Sequence, residues 1–358
     1  MGKQSATESD SAPRRYQMPA EWESHAATWL GWPHETSDWP GKMPAIRWVY
    51  GEMIRKIAAG EKVRLCINSR SDEARARKVI KAAGADPKTV EYLPFPTNRG
   101  WMRDSGPIFV RDGARNRKAI VHWHFNAWAR YGNWRKDRAI PEKAAQRDKL
   151  PLIHARRGNI DLVLEGGGID VNGRGTLLTT EECYLDPKTQ VRNPSLTKAE
   201  FEQALREYLG VSNILWLGHG VTGDDTHGHV DDICRFVNST TVVLVRESNP
   251  KDVNYRPLQE NWERMQGMRL ENDSKIEVVG LPMPGPLFFE GYRLPASYAN
   301  FYISNASVIV PTFNDVNDRI ALGILADLFP DRAVVGIHAV DLVLGYGTLH
   351  CLSQQEPA

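Results

Sequence analysis

The chain of 358 residues carries 45 Lys and Arg against 44 Asp and Glu, a net charge of +1, and 41% of it is apolar. So even a balance offers no field for a nucleic acid or another polyanion, no apolar run reaches the roughly 18–20 residues of a membrane span, and residues 1–15 lack the apolar stretch of a secretory signal. The length permits a large core, arranged as two domains or as a single barrel or propeller.

Residues 1–15 are polar and are expected to be disordered. No linker rich in Gly, Ser or Pro divides the rest of the chain, so residues 16–358 are expected to form one catalytic domain. Thr28–Trp32 and the helical pattern from Ala45 to Ala59 make a first unit. Then a theme recurs, in which a polar residue opens an apolar strand, a turn follows, a second strand runs out and a helix returns. Asp104 leads through Ile108–Val110 and Asp112-Gly113 into Ala119–Val121, and Glu165 leads through Ile169–Val171 and Asn172-Gly173 into Thr176–Leu178. His229 leads through Phe236-Val237 and Asn238 into Thr241–Val245, and Tyr298–Ile303 turns at Asn305 into Val308–Val310. Asn-Gly and Asp-Gly between apolar runs are specific hairpin signals. The openings at 104, 165, 229 and 298 are spaced by 61, 64 and 69 residues. Helical patterns at Lys198–Tyr208, Leu258–Met268 and Asp318–Leu328 fill gaps between them. Degenerate repeats of this length suggest units set around an axis. Ala333–Ile337 and Val340–Leu344 read as the last strands.

Of the four cysteines, none forms a Cys-x-x-Cys pair, so reduced thiols in a cytoplasmic protein without structural zinc are expected. Cys66, Cys183 and Cys234 read as small buried hydrophobes. Cys351 differs. It lies near the end of the chain behind an apolar run and the turn Gly345-Tyr346-Gly347, in a sequence that also offers His229 flanked by carboxylates. That makes it a candidate nucleophile. His229 and Asp231 share one face if the segment is a strand, and Asp104 and Glu165 add two carboxylates where strands meet loops. Acyl transfer by a Cys–His pair wants an oxyanion hole, and several carboxylates would repel the oxyanion. They suit a cationic electrophile instead, and a guanidinium is planar, permanently charged and matches carboxylates two donors at a time.

Blocks along nearly the whole chain resemble the agmatine deiminase family of guanidine-modifying enzymes, relatives of the bacterial-type peptidylarginine deiminases. They include Met18–His25, Thr28–Pro33, Trp101–Pro107, Phe125–Trp128, Leu164–Gly167, Thr179–Cys183, Gly223–Asp231, Ala296–Tyr302 and His350–Gln355. The resemblance implies an α/β fold, the five-bladed pseudo-symmetric α/β propeller called the pentein fold. It implies hydrolysis of agmatine to N-carbamoylputrescine and ammonia, with Cys351 as nucleophile and no metal or organic cofactor. Asp104 and Asp231 would grip the guanidinium, His229 would serve as general acid and then base, and Glu165 would orient His229. Trp101 would wall the pocket, and Asp225, with Asp224 as fallback, would take the distal amine. A bound guanidinium would favour thiolate at Cys351. A flat propeller face is one that often supports homodimers.

Many members of that family carry three glycines and an asparagine before Ile-His-Cys, whereas this chain reads Gly345, Tyr346, Gly347, Thr348 and Leu349, and has His227 where Asn is common. These departures touch substrate choice. Free arginine would want a cation for its carboxylate, for which Arg130 and Arg293 are candidates, and a peptidyl-arginine would want an open groove. Two other classes compete. His227-Gly228-His229-Val230-Asp231 matches the His-x-His-x-Asp of binuclear zinc hydrolases, though that motif normally continues with His where Asp232 stands. A non-catalytic guanidine-binding protein would bind agmatine and release no ammonia.

Overall fold

The computed structural model describes residues 16–113 and 117–358, and the disordered tail expected over residues 1–15 lies outside them. Five mixed sheets share one plan. In four of them a strand, its antiparallel neighbour, a helix and a strand parallel to that neighbour come in chain order. These are Ile108–Asp112, Arg117–His122 and Leu152–His154; Asp170–Val171, Thr176–Thr180 and Asn213–Leu217; Cys234–Phe236, Thr241–Arg246 and Glu277–Pro282; and Tyr302–Ile303, Ser307–Thr312 and Ala333–His338. The crossover helices are Ile140–Asp148, Lys198–Leu209, Tyr255–Gln266 and Asp318–Leu328, as a parallel connection requires. The remaining sheet runs Ser353–Pro357, His25–Gly31, Lys62–Cys66, Val90–Leu93, with helix Met43–Ile57 as crossover. Its antiparallel strand comes from the far end of the chain, so the first and last long strands of the described residues share one sheet. Among the described residues no sheet closes on itself. Among the described residues no helix is long and apolar enough to cross a membrane.

Local chemistry accounts for these elements. Helix Met43–Ile57 opens on a proline and buries Ile46, Val49, Tyr50, Met53, Ile54 and Ile57, the stripe of a helix docked on a sheet. Lys198–Leu209 starts at a capping box, Thr197 with Glu200, and stops at Gly210 in the left-handed region. The Asn172-Gly173 turn holds because the Asn172 side-chain oxygen accepts from the amides of Arg174, Gly175 and Thr176, while Gly173 has φ +67°. Thr241–Arg246 is apolar and buried up to Arg246, as a strand covered on both faces should be.

The openings of the units depart from the strand reading. Asp104 lies in a helical turn, Met102–Ser105. Glu165 precedes the 3-10 turn Gly166–Gly168, and His229 precedes Val230–Asp232. Val340–Leu344 is not a strand either, since Leu342–Gly345 is a 3-10 turn; Cys351 sits in the helical turn Leu349–Leu352. The last strand, Ser353–Pro357, comes after the cysteine. Of Tyr298–Ile303 only Tyr302–Ile303 pairs as strand. Apolar runs this short look alike whether they are buried strand or buried turn.

Candidate active site

Four of the five sheet-entry turns bring Asp104, Glu165, His229, Asp231 and Cys351 into one buried cluster. His229 Nδ1 stands 3.7 Å from Asp104 Oδ1 and 4.0 Å from Asp231 Oδ1, and its Nε2 is 3.7 Å from Glu165 Oε2. The Cys351 thiol donates to Asp231 Oδ2 at 3.7 Å and accepts from Asn300 Nδ2 at 3.1 Å. Both ring nitrogens of His229 and Asp231 Oδ1 are buried without a hydrogen-bond partner among the described residues. At the centre is Gly167, whose amide donates to Asp104 Oδ1 at 3.1 Å. A Cβ there would lie 2.5 Å from His229 Nδ1, 2.9 Å from Asp104 Oδ1 and 3.0 Å from Asp231 Oδ2. Only glycine allows these three groups to meet.

A cavity of about 220 Å³ reaches Cys351 and Asp104 between the rings of Trp101 and Trp128, and Asp225 and Tyr346 also line it. Trp101 is held by Asp38, whose Oδ2 accepts its indole N–H at 3.0 Å, and by Trp39, ring centroids 5.2 Å apart. Gly345 and Gly347 flank it so closely that a Cβ on either would meet the Trp101 ring, at 2.8 and 2.9 Å. Tyr346 between them adopts φ +64°. Trp128 donates to Asp104 Oδ2 at 2.9 Å from a run of three non-glycine residues in the left-handed region, Ala127, Trp128 and Ala129. Such backbone is strained and persists where the surroundings over-determine it; here Asn126 accepts from the Ala129 amide. Asp225 accepts from the Tyr131 hydroxyl at 2.7 Å and pairs with Arg130 Nε at 3.0 Å. Arg293, an alternative receptor for a substrate carboxylate, is instead spent on Asp252.

Residues 17–357 match the family of Porphyromonas-type peptidyl-arginine deiminases. The chain belongs to this family. Among its relatives is an agmatine deiminase of Medicago truncatula, 36% identical, with 96% of each chain covered. Among solved structures, the agmatine deiminase of Enterococcus faecalis superimposes with a TM-score of 0.86 at 31% identity over 96% of each chain. A substrate-bound agmatine deiminase of C. jejuni gives 0.84 at 31% identity over the same share of both chains. These likenesses place the chain in the α/β fold of the deiminases.

Behind the cluster, this family member carries partners that its sequence did not announce. Arg192 is fully buried, and its Nε lies 3.2 and 3.3 Å from the two oxygens of Glu165. Its Nη2 donates to the Thr226 carbonyl at 2.5 Å. Asp231 Oδ2 meets His350 Nδ1 at 2.6 Å, and His350 Nε2 meets Glu21 Oε2 at 2.8 Å. Glu21 in turn accepts from Arg103, Arg235 and the Ile303 amide, each at 2.9 Å. Glu21 and His350 fall inside the resembling blocks, but nothing in the sequence paired them. Cys183 is buried, as expected of a small hydrophobe, yet it stands beside Glu165 and His229, with one ligand atom of each within 4.8 Å of the others. Arg192 claims both oxygens of Glu165, and its charge disfavours a divalent ion among these three. The zinc-hydrolase motif does not assemble: His227, at φ +66°, turns to Asp186 at 2.9 Å, away from His229.

Burial, followed by Asp231, Asp232 and Asp104, pushes the Cys351 thiol well above its ordinary value, so the free site holds a thiol. Burial works against a charged His229, but Asp104, Cys183 and Glu165 overcome it and hold the imidazole well above its usual range. Glu165 is low despite burial because of Arg192 and His229. Burial, with Asp231 and Glu165, pushes Asp104 up to about 6 against the pull of His229. Asp231 stays low in spite of burial through its bond to His350, and Asp232, buried beside Asp231 and Asp224, is driven well above the carboxylate range.

Proposed function

We propose that the chain hydrolyses agmatine to N-carbamoylputrescine and ammonia through a covalent amidino-thioether on Cys351. The carrying observation is the buried Cys351 thiol on Asp231, in one cavity with Asp104, and His229 set between these carboxylates and Glu165. Carboxylates that repel a thiolate in the free site become assets once a guanidinium sits between them, since the cation offsets their charge and favours loss of the thiol proton. The thiolate then attacks the guanidinium carbon while Asp104 and Asp231 hold the nitrogens. His229, protonated in the free site, delivers its proton to the departing nitrogen, and ammonia leaves an isothiouronium cation on sulfur. The neutral His229 takes a proton from the attacking water, the carbon–sulfur bond breaks as the hydroxyl proton of the adduct passes to the leaving sulfur, and the urea product leaves with the thiol and the imidazolium of the free site restored. Glu165, itself fixed by Arg192, steadies the imidazolium.

Agmatine is favoured over arginine by Asp225, a carboxylate lining the same cavity, and by the engagement of Arg293 elsewhere. The cavity lies below the roughly 300–1,000 Å³ of pockets for drug-sized ligands, which suits a small linear cation better than a protein-bound arginine. Trp101 forms its apolar wall. The relatives that are agmatine deiminases by name support the same substrate. We further infer that the five like-built sheets are five blades of one domain over residues 16–358, arranged around the axis where these side chains meet. The four cysteines, all free, fit a reducing cytoplasm.

The test is ammonia release from agmatine, arginine and a peptidyl-arginine. Agmatine is expected to turn over fastest and Cys351→Ala to release nothing. An adduct on Cys351 should accumulate in His229→Ala and be visible by mass. Arginine winning by roughly tenfold or more would sink the substrate assignment, and an active Cys351→Ala would sink the mechanism.

A further inference from the structure

Asp225 is not free to receive an amine. Its Oδ2 accepts from Tyr131 and its Oδ1 is paired with Arg130 Nε at 3.0 Å. The two partners differ in how firmly they are held. Tyr131 is packed edge-on against Trp128, ring centroids 6.0 Å apart, and Arg99 lies over its ring at 4.0 Å. Arg130 is fixed at the backbone, its amide donating to the Ala127 carbonyl at 3.0 Å, but its side chain is 49% exposed against 14% for Asp225. Its side chain also donates a long hydrogen bond, 3.4 Å to Gln190 Oε1, and its guanidinium lies 5.7 Å from the centre of the Tyr131 ring. The carboxylate is thus fixed and the guanidinium on it is the part able to swing into solvent.

We propose that Arg130 tempers the affinity of this site for an amine-bearing guanidine, as a latch on Asp225 that only a second substrate cation displaces. The inference rests on the proposed role of Asp225 as receptor of the distal amine. An amine arriving while Arg130 stayed in place would put two positive charges about 4 Å apart, a penalty between about fivefold and about a thousandfold as the effective dielectric falls from that of water to that of a protein surface. Releasing an ion pair whose cation is half exposed costs on the order of fivefold. Release is the cheaper course, so the amine replaces Arg130. A guanidine without an amine has nothing with which to open the latch, and gains nothing from Asp225.

The experiment compares agmatine with butylguanidine, which keeps the guanidinium and chain but lacks the amine, in the wild type, Arg130→Gln, Arg130→Lys and Asp225→Asn. Arg130→Gln is expected to lower KM for agmatine two- to fivefold and leave that for butylguanidine unmoved, with Arg130→Lys closer to the wild type. A KM for agmatine that stays put or rises in Arg130→Gln overturns the latch. Asp225→Asn is expected to raise KM for agmatine at least tenfold. If it does not, the amine lies elsewhere and the latch fails with the role of Asp225, whatever Arg130 does, while the ammonia-release comparison still decides the substrate. Turnover of arginine that is lost specifically in Arg130→Gln would mean that this side chain receives a carboxylate, which also overturns the proposal.

Discussion

In the proposed mechanism Asp104 must be an anion to grip a guanidinium, yet it is buried beside Asp231 and Glu165 and its carboxyl is pushed up to about 6. An acid raised in the free protein is protonated below that value, and the protonated form cannot hold the cation. The acid limb of kcat/KM reports the free enzyme, so kcat/KM for agmatine should fall as pH drops through about 6, by about tenfold per unit beyond it. A profile that stays level well below that point would remove Asp104 from the grip. The residue type was legible in the sequence, because a carboxylate excess around a thiol suits a cation. The shift was not, since it depends on Asp231 and Glu165, which stand far from Asp104 in the chain and meet it only through space.

At the scale of elements, the turn Gly166–Gly168 decides how close His229, Asp104 and Asp231 come. Gly167→Ala places a methyl 2.5 Å from His229 Nδ1 and 3.0 Å from Asp231 Oδ2, so the imidazole or the carboxylate must move. A misplacement of about 1 Å is enough for a hundredfold loss. We expect kcat to drop by at least about that factor, with the circular dichroism spectrum of the wild type retained; an active Gly167→Ala would show that this contact can relax. The sequence placed His229 and Asp231 in one pocket for the wrong reason. Alternation along a strand was the argument, but the segment is a 3-10 turn, and the two groups meet because the turn folds them toward Gly167. Hairpin turns were more legible, because Asn172 and Asn238 fix their own neighbours' amides and so act locally.

Across the molecule, Glu21 ties together segments that are remote in sequence. Its oxygens bind Arg103, Arg235, Ile303 and His350, which lie 82, 214, 282 and 329 residues away. Burial disfavours its charge, but Arg235, His350 and Arg103 hold it well below the usual carboxylate range. Glu21→Ala would leave buried cations without their counter-charge, a defect worth about 3–5 kcal/mol. Chemical denaturation should register a loss of that size, and a change under about 1 kcal/mol would mean that water or relaxation repairs the network. The same variant should lower deimination, because His350 would no longer be held against Asp231. The pairing of Ser353–Pro357 with His25–Gly31 is the backbone counterpart of this closure, and it seats Cys351 one step before the last strand.

The sequence by itself determined the repeated strand–turn–strand–helix unit, the residue types of the site and the cationic character of what they bind. Periodicity, turn residues and charge all act locally or through composition, and they survive reading in one dimension. Only the tertiary structure decided the rest: that Cys183 stands beside His229, that Arg192 holds Glu165, that His350 links Asp231 to Glu21, and that Arg130 already occupies the carboxylate proposed for the amine. Each is a contact between groups from different turns, and which groups meet depends on how the sheets are set against one another. Cys351 is the plainest case: its thiol is written in the chain, while its neighbours, its burial and its protonation belong to the fold.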